Sequence, residues 1–185
     1  MAPPDEILKF WFEDIEKSNW FKSTDAFDSL IRRNFENSCM QLAATLESSI
    51  PHQWEDNLES ALALILSLDQ FPRNMYRDTQ AAYTWDTLAL GVAKRLVAQN
   101  RDVLIPQERR TFIYMPYMHS ESLEDQNRCV DLVDARLDDT STLYHAKQHR
   151  DVIERFGRFP HRNKSLNRES TLDELAFLRD GGYAP

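Results

Sequence analysis

Apolar residues recur along this chain mostly at intervals of three and four positions, the spacing that places side chains on one face of an α-helix. The pattern predicts a first short helix from Pro4, a second that begins near Ser23 or Thr24, and a third over about 57–69. The third is apolar nearly all round, so we expect it at the centre of the core. Pro72 should end it, because the residue before a proline is disfavoured in the α region.

The second half of the chain carries start and stop signals for further helices. Pro106 suits the first turn of a helix that Pro116 should kink or end. The other predicted signals are N-caps at Asp86, at Ser120 or Ser122, and at Thr140 or Ser141, a stop at Gly157, a Thr171–Glu174 capping box, and a final stop at Gly181-Gly182. Seven or eight helices with short connections predict an all-α fold of antiparallel-packed neighbours, with residues 1–185 as a single domain.

Composition supports this fold class and narrows the function. Only 4 glycines occur and no Asn-Gly or Asp-Gly pair stands between alternating apolar runs as a hairpin signal, which disfavours sheets built from tight hairpins. Because the chain has no run of 18 apolar residues and no signal-peptide pattern, we expect a cytoplasmic protein without a membrane partner. The net charge of −8 argues against nucleic acid as a partner. Cys39 and Cys129 stand in no metal-ligand spacing and are interpreted as buried small hydrophobes.

Two segments repeat one arrangement, in which Phe-Pro and then Arg-Asn follow a predicted helix end. They cover residues 69–74 and 157–163. One interpretation is a recurring helix stop, with the arginine near the negative end of the helix dipole. The other is that two helix ends deliver guanidinium and amide donors into one cavity. On that interpretation the ligand-binding candidates are Gln70, Arg73, Asn74, Arg158, Arg162 and Asn163.

His119 is followed by acidic and amide residues in the first turns of the next predicted helix. Acidic side chains there stabilise a helix start by themselves. A histidine with a carboxylate in reach is also a general acid–base unit, because the carboxylate orients the ring and raises its pKa. The candidate catalytic residues are therefore His119, His161, Asp69, Glu121 and Asp125, with Gln126 as a ligand contact. The spacing matches no established metal-ligand pattern, so we assign no metal ligands and expect no cofactor, with a metal ion as the lesser alternative.

A basic run begins at Arg155, and no acidic residue interrupts it before Glu169. It could neutralise acidic helix faces or contact nucleic acid, although no aromatic platform accompanies it. Arginine also presents a planar fork that suits carboxylate or phosphate. We therefore add Arg168, and the nearby His149, to the ligand-binding candidates. The favoured partner is a small anionic molecule, with a peptide carboxylate as the alternative.

These segments resemble the bacterial domain-of-unknown-function 924 family, and the likeness covers essentially the whole chain. It is carried by 7–12, Trp20-Phe21, 68–77, 114–116, 118–121, Asp125-Gln126, 149–163 and 168–171. The resemblance implies a TPR-like all-helical fold, and it implies that the polar candidates above match motif positions of a family whose function is not established. The chain departs from the pattern at Asp78 and Asn167, where glycine is usual. Asparagine can adopt the left-handed conformation that glycine supplies, so we expect that turn to persist.

Three functional hypotheses stay open. In the preferred one, Arg73, Arg158 and Arg162 hold a small anion while His119 or His161 transfers a proton, in acid–base chemistry or hydrolysis. In the second, a TPR-like surface binds a peptide by its terminal carboxylate. In the third, the polar motifs form a buried network that specifies the fold. The first requires that the three segments converge on one cavity.

Overall fold

The computed structural model describes residues 1–20 and 24–184, and every regular element within these ranges is helical. The α-helical segments are α1 (Pro4–Lys9), α2 (Asp25–Ser48), α3 (Leu58–Ile65), α4 (Phe71–Met75), α5 (Asp86–Ala98), α6 (Gln107–His119), α7 (Leu123–Arg136), α8 (Thr140–Phe156) and α9 (Leu172–Arg179). A π-helical turn, Leu66–Gln70, joins α3 to α4 without a break, so the described residues contain eight helices. The all-α prediction is therefore confirmed. Phe21 and Ser23, named above in a motif and as a helix start, lie outside the described residues.

The α3 helix lies at the centre of the core, as its all-round apolar pattern predicts. Residues 61–66 have no exposed surface. Aromatic rings pack against it, with Phe71 at centroid distances of 5.7 Å from Trp11 and 4.9 Å from Phe35. Side chains of α1, α2, α5, α6, α7 and α8 complete the same apolar cluster. None of the helices in the described ranges is long and apolar enough to cross a bilayer.

Both cysteines are buried in this core, which confirms their interpretation as small hydrophobes. Cys39 and Cys129 have no exposed surface. Burial raises the pKa of each thiol to about 12. Neither is therefore a thiolate at neutral pH.

The helix does not end at Pro72, so that prediction was wrong. Phe71 keeps helical angles (φ −60°, ψ −41°) and the helix continues to Met75. The Phe71 N–H donates to the Leu66 carbonyl five residues back, which widens this turn. A wider turn relieves the clash between a proline ring and the preceding carbonyls, and the missing N–H removes only one hydrogen bond. The motif over 69–74 therefore lies within a helix and not beyond its end.

Three other predicted helix boundaries differ from the structure. Pro116 lies inside α6, which continues to His119. Asp139 caps α8 in place of Thr140 or Ser141, because its carboxylate accepts from the first free backbone N–H groups of that helix. Asp86 is the first residue of α5 and not its cap. Its carboxylate is engaged by an arginine, as described below.

The predicted ends of α8 and α9 are better matched. Gly157 follows α8 in the left-handed conformation, with φ 68°, and Thr171 and Glu174 form a reciprocal capping box at the start of α9. Asp78 and Asn167, the two departures from the family pattern, also have positive φ values of 59° and 53°. The left-handed turns are therefore kept without glycine.

Candidate functional site

A cavity of about 560 Å³ lies between α4, α6 and α8. The short turn Pro160–Arg162 and the segment after α9 complete its wall. Seven of the residues predicted from the sequence line it, and they come from all three segments: Gln70, Arg73, Asn74, His119, His149, His161 and Arg162. The structure thus brings Arg73, His119 and Arg162 to one cavity.

A buried carboxylate stands behind His119. Oδ1 of Asp69 lies 2.7 Å from Nδ1 of His119, and Oδ2 accepts a 2.6 Å hydrogen bond from the Gln70 amide. Asp69 has no exposed surface. Burial alone would raise its pKa, but the charge and hydrogen bond of His119, with the charge of Arg73, hold the pKa of Asp69 below its ordinary value. The carboxylate therefore fixes the His119 tautomer and leaves Nε2 as the nitrogen able to exchange a proton.

Two guanidinium groups at the cavity face a single carboxylate. Arg73 binds Asp86 through both terminal nitrogens, each at 2.8 Å, and also donates to the Ala82 carbonyl. Arg162 lies 3.8 Å from the same carboxylate. The ring of Tyr83 lies against both, with its centroid 4.7 Å from the Arg73 guanidinium carbon and 4.8 Å from that of Arg162. Arg73 holds Asp86 more closely than Arg162 does, so this shared carboxylate neutralises the charge of Arg162 only in part.

Arg162 is buried, with 5% of its surface exposed. Nη1 donates to the His119 carbonyl at 2.9 Å, and Nε, which is buried, has no hydrogen-bond partner within the described residues. Burial and the charge of Arg73 lower the pKa of Arg162 to about 10, so it stays charged at neutral pH. A buried cation with unused donors on a cavity wall is the feature that most needs a partner.

Two further imidazoles line the cavity, and both are neutral at pH 7. Burial lowers the pKa of His149 to about 3, and burial followed by the charge of Arg162 lowers that of His161 to about 4. Nδ1 of His149 lies 2.8 Å from the His145 carbonyl oxygen. Nδ1 of His161 is buried and has no partner among the residues that the structure describes.

Asp125 and Gln126 do not line the cavity but hold the end of α6 that presents His119. The Gln126 amide donates to the carbonyls of Met118 and Ser120, each at 2.7 Å. Asp125 accepts from the Ser120 hydroxyl at 2.8 Å. Both residues therefore act on the cavity through the position of His119.

The remaining predicted residues form a separate polar network behind the cavity. Glu121 accepts two hydrogen bonds from Arg168, at 2.6 and 2.9 Å, and Arg168 donates to Asn163 at 3.0 Å. Arg158 binds both carboxylate oxygens of Glu174, at 2.6 and 2.8 Å. Burial would raise the pKa of Glu121, but the bonds from Arg168 and from the Phe159 N–H lower it. Glu121, Arg158, Asn163 and Arg168 are thus engaged with protein groups outside the cavity wall.

Several cavity residues were not among the sequence candidates: Trp20, Arg77, Tyr83, Met115, Met118, Asp139, Ser141, Thr142, His145 and Tyr183. Tyr183 follows two glycines, and its hydroxyl lies 2.8 Å from Nδ1 of His145. Gly181 has φ 78°, and a Cβ on Gly182 would lie 2.4 Å from the Phe177 ring. This pair therefore turns the chain back onto the cavity, whereas the sequence suggested only a helix stop. No group of three histidine, cysteine, aspartate or glutamate side chains in the described residues is placed to hold a metal ion.

The polar motifs and the helical fold together match a known family model. The model described as "Bacterial protein of unknown function (DUF924)" covers residues 7–182. The chain belongs to the DUF924 family. A solved structure, that of the protein of unknown function ATU0120 from Agrobacterium tumefaciens, is similar to it with a TM-score of 0.88 and 38% sequence identity, over 96% of this chain and 97% of that one. No curated protein matches the chain. The comparisons therefore establish the DUF924 family and its fold.

Proposed function

We propose that this protein binds a small anionic molecule in the cavity and acts on it by acid–base chemistry, with His119 as the group that transfers the proton. The observation that carries the proposal is the state of Arg162. It is buried and charged, it lines the cavity, and its Nη2 makes no hydrogen bond to any residue that the structure describes, whereas the unpartnered Nε has almost no accessible surface. A carboxylate or phosphate in the cavity would supply the missing acceptor and charge.

The electrostatics of the cavity support an anion over a cation. Arg73 and Arg162 share Asp86, and Arg77, also on the wall, is paired with Asp28. Each further carboxylate near the wall has a positive partner or a hydrogen-bonded role, as Asp69 has with His119. Arg73 and Arg162 thus have one carboxylate between them, and an anion beside Arg162 would supply a second in a partly desolvated site, where charge interactions are stronger than in water.

The Asp69–His119 pair supports catalysis in addition to binding. A carboxylate on Nδ1 orients the imidazole and stabilises its protonated form, which prepares Nε2 to accept or return a proton. His119 is also joined to the anion-binding group, because its carbonyl accepts from Arg162. A substrate held by Arg162 would lie in the same cavity as that Nε2. Acid–base chemistry or hydrolysis on a small anionic substrate is the reaction class that fits these groups.

The binding half of the proposal can be tested without knowledge of the substrate. Thermal unfolding is followed with phosphate, sulfate, malate, succinate, and a short peptide with a free or an amidated C-terminus, at constant ionic strength. A ligand at 100 times its Kd adds about 2.7 kcal/mol to the free energy of unfolding. Arg162→Gln should abolish the stabilisation. Arg33→Gln, an exposed arginine on α2 away from the cavity wall, should not.

Two outcomes would contradict the proposal. One is that wild type and Arg162→Gln respond alike to every anion. The other is that only the free-carboxylate peptide binds and no small anion does, which would favour the peptide-binding alternative. If Arg162→Gln is too unstable to compare, Arg162→Lys keeps a charge but loses the fork, and should weaken binding without abolishing it.

A further inference from the structure

The neighbouring histidines His119 and His149 on the cavity wall are held by different partners. Their ring centroids lie 6.3 Å apart. Nδ1 of His119 contacts the Asp69 carboxylate, whereas Nδ1 of His149 lies 2.8 Å from the His145 backbone carbonyl. A carbonyl oxygen only accepts hydrogen bonds, so Nδ1 of His149 carries the proton. In the neutral ring, Nε2 of His149 is then unprotonated, and its lone pair can accept a hydrogen bond.

His149 is not readily protonated at Nε2. Its carbonyl partner is neutral and gives the imidazolium less support than a carboxylate would, and burial lowers the pKa of His149 to about 3. Nε2 makes no hydrogen bond to any described residue, on a ring that lines the cavity. His149 therefore presents a fixed acceptor at any pH at which the protein is expected to work.

His149, which carries this acceptor, lies beside Arg162. The Phe159 ring packs on both groups, with its centroid 4.4 Å from the Arg162 guanidinium carbon and 5.5 Å from the centroid of the His149 ring. A molecule bound in this corner thus meets donors on Arg162 and a lone pair on His149. An oxyanion without a hydroxyl group can accept hydrogen bonds from Arg162, but its lone pairs repel the lone pair of His149.

We infer that the ligand of this cavity is an oxyanion that carries its own O–H donor, either a hydroxy acid or a protonated phosphate, and that Nε2 of His149 accepts that hydrogen bond. The inference rests on the proposed function, since it requires that an anion binds at Arg162. The physical reason is that a buried acceptor left without a donor loses its solvation without compensation, so a site built to pair it discriminates against ligands that lack the donor.

His149 could instead serve as a metal ligand through the same lone pair. That use needs further ligands, and the described residues contain no cluster of three histidine, cysteine, aspartate or glutamate side chains. The hydrogen-bond role needs only the groups already on the cavity wall.

The test compares anions that differ only in the donor. Affinities are measured at pH 7.5 and constant ionic strength for phosphate against sulfate, and for malate against succinate. Phosphate keeps a proton at this pH and sulfate has none, while malate differs from succinate by one hydroxyl. The wild type should bind the donor-bearing member of at least one pair about tenfold more tightly or better. The pair that discriminates identifies the source, phosphate or hydroxy acid.

Two matched variants assign the effect to His149. The Asn amide in His149→Asn replaces Nδ1 and can keep the bond to the His145 carbonyl, but nothing replaces Nε2, so discrimination should disappear. In His149→Gln an amide oxygen can occupy the position of Nε2, so discrimination should persist. Discrimination that survives in His149→Asn would overturn the assignment.

The outcomes separate this inference from the proposed function. Equal affinity of the wild type for both members of each pair would overturn the donor requirement and leave the anion site standing. Absence of binding by all four anions would overturn both.

Discussion

Asp69 and His119 lie 50 positions apart in the chain, and Oδ1 of the first is 2.7 Å from Nδ1 of the second. The contact joins the π-helical turn between α3 and α4 to the end of α6. It places a carboxylate with no exposed surface directly behind an imidazole on the cavity wall. On the proposed function, this relationship prepares the imidazole for proton transfer in a cavity that also binds an anion.

His119 should contribute little to the affinity for the anion, because Arg162 supplies the donors and Nε2 of His119 is the nitrogen that Asp69 leaves available for proton transfer. His119→Asn keeps an amide facing Asp69 and lacks Nε2. The Kd of a binding anion, measured by calorimetric titration, should therefore change less than about threefold. A loss of affinity of about tenfold or more would place His119 among the anion-binding groups.

The neutral histidines of the cavity should make the protein less stable in acid. The pKa of His161 in the folded chain is about 4, below the ordinary value of 6.5, so the unfolded chain binds the proton first as the pH falls. Stability from this group is complete above pH 6.5 and is lost between about 6.5 and 4, by about 2–3 kcal/mol. The same sign holds for His149, whose pKa is about 3. Urea unfolding of His161→Asn at pH 7, 6, 5 and 4 should show a shallower loss than the wild type, and equal slopes would contradict this account.

The polar network behind the cavity should stabilise the fold and have little effect on anion affinity. Glu174 is 2% exposed and is bound by Arg158, whose hydrogen bonds lower the pKa of Glu174 to about 2. Because this pKa is depressed, its stabilisation is present above about pH 4.5 and is lost as the pH falls toward 2. Glu174→Gln should cost about 3 kcal/mol at pH 7. Anion affinity, measured well below the melting temperature, should change less than twofold, and a large change would place the network in the binding site.

Gln126 should matter to binding although it lies outside the cavity wall. Its amide donates to carbonyls at the end of α6. Gln126→Ala should cost about 2–3 kcal/mol of stability and should also weaken anion binding, because the His119 carbonyl that holds Arg162 loses its fixed position. Gln99→Ala, at an exposed position after α5, should change neither. A loss of stability with normal anion affinity would limit Gln126 to a structural role.

The helical fold could be predicted from the sequence more fully than the different roles of the three arginines Arg158, Arg162 and Arg168. Periodicity and capping signals predicted the all-α class and the exact stop at Gly157, because both depend on local backbone chemistry. Arg158, Arg162 and Arg168 are alike in sequence context. Arg158 and Arg168 bind Glu174 and Glu121, which come from other parts of the chain, and Arg162 is left to line the cavity. No local sequence pattern predicts this assignment.

The failure at Pro72 has a similar origin. The rule that a proline ends a helix compares it with an undistorted α-helix. Here the Phe71 N–H donates to the Leu66 carbonyl five residues back, so the helix before Pro72 is not an undistorted α-helix. Packing of the central helix on every side stabilises this wider turn. Tyr183 was missed because two glycines that signal a stop also redirect the chain, and the direction depends on the Phe177 ring.

The wide turn before Pro72 also sets the direction in which the helix beyond it presents its side chains. Each residue of an α-helix advances the azimuth by about 100°, and the π-helical turn takes about one residue more to complete its rotation. Compared with an undistorted α-helix of the same sequence, α4 is therefore rotated by roughly 100°, and Arg73 and Asn74 line the cavity from that rotated position. The same sequence without the Phe71–Leu66 hydrogen bond could keep the core-facing stripe of α3 and still point its guanidinium at the wrong neighbour.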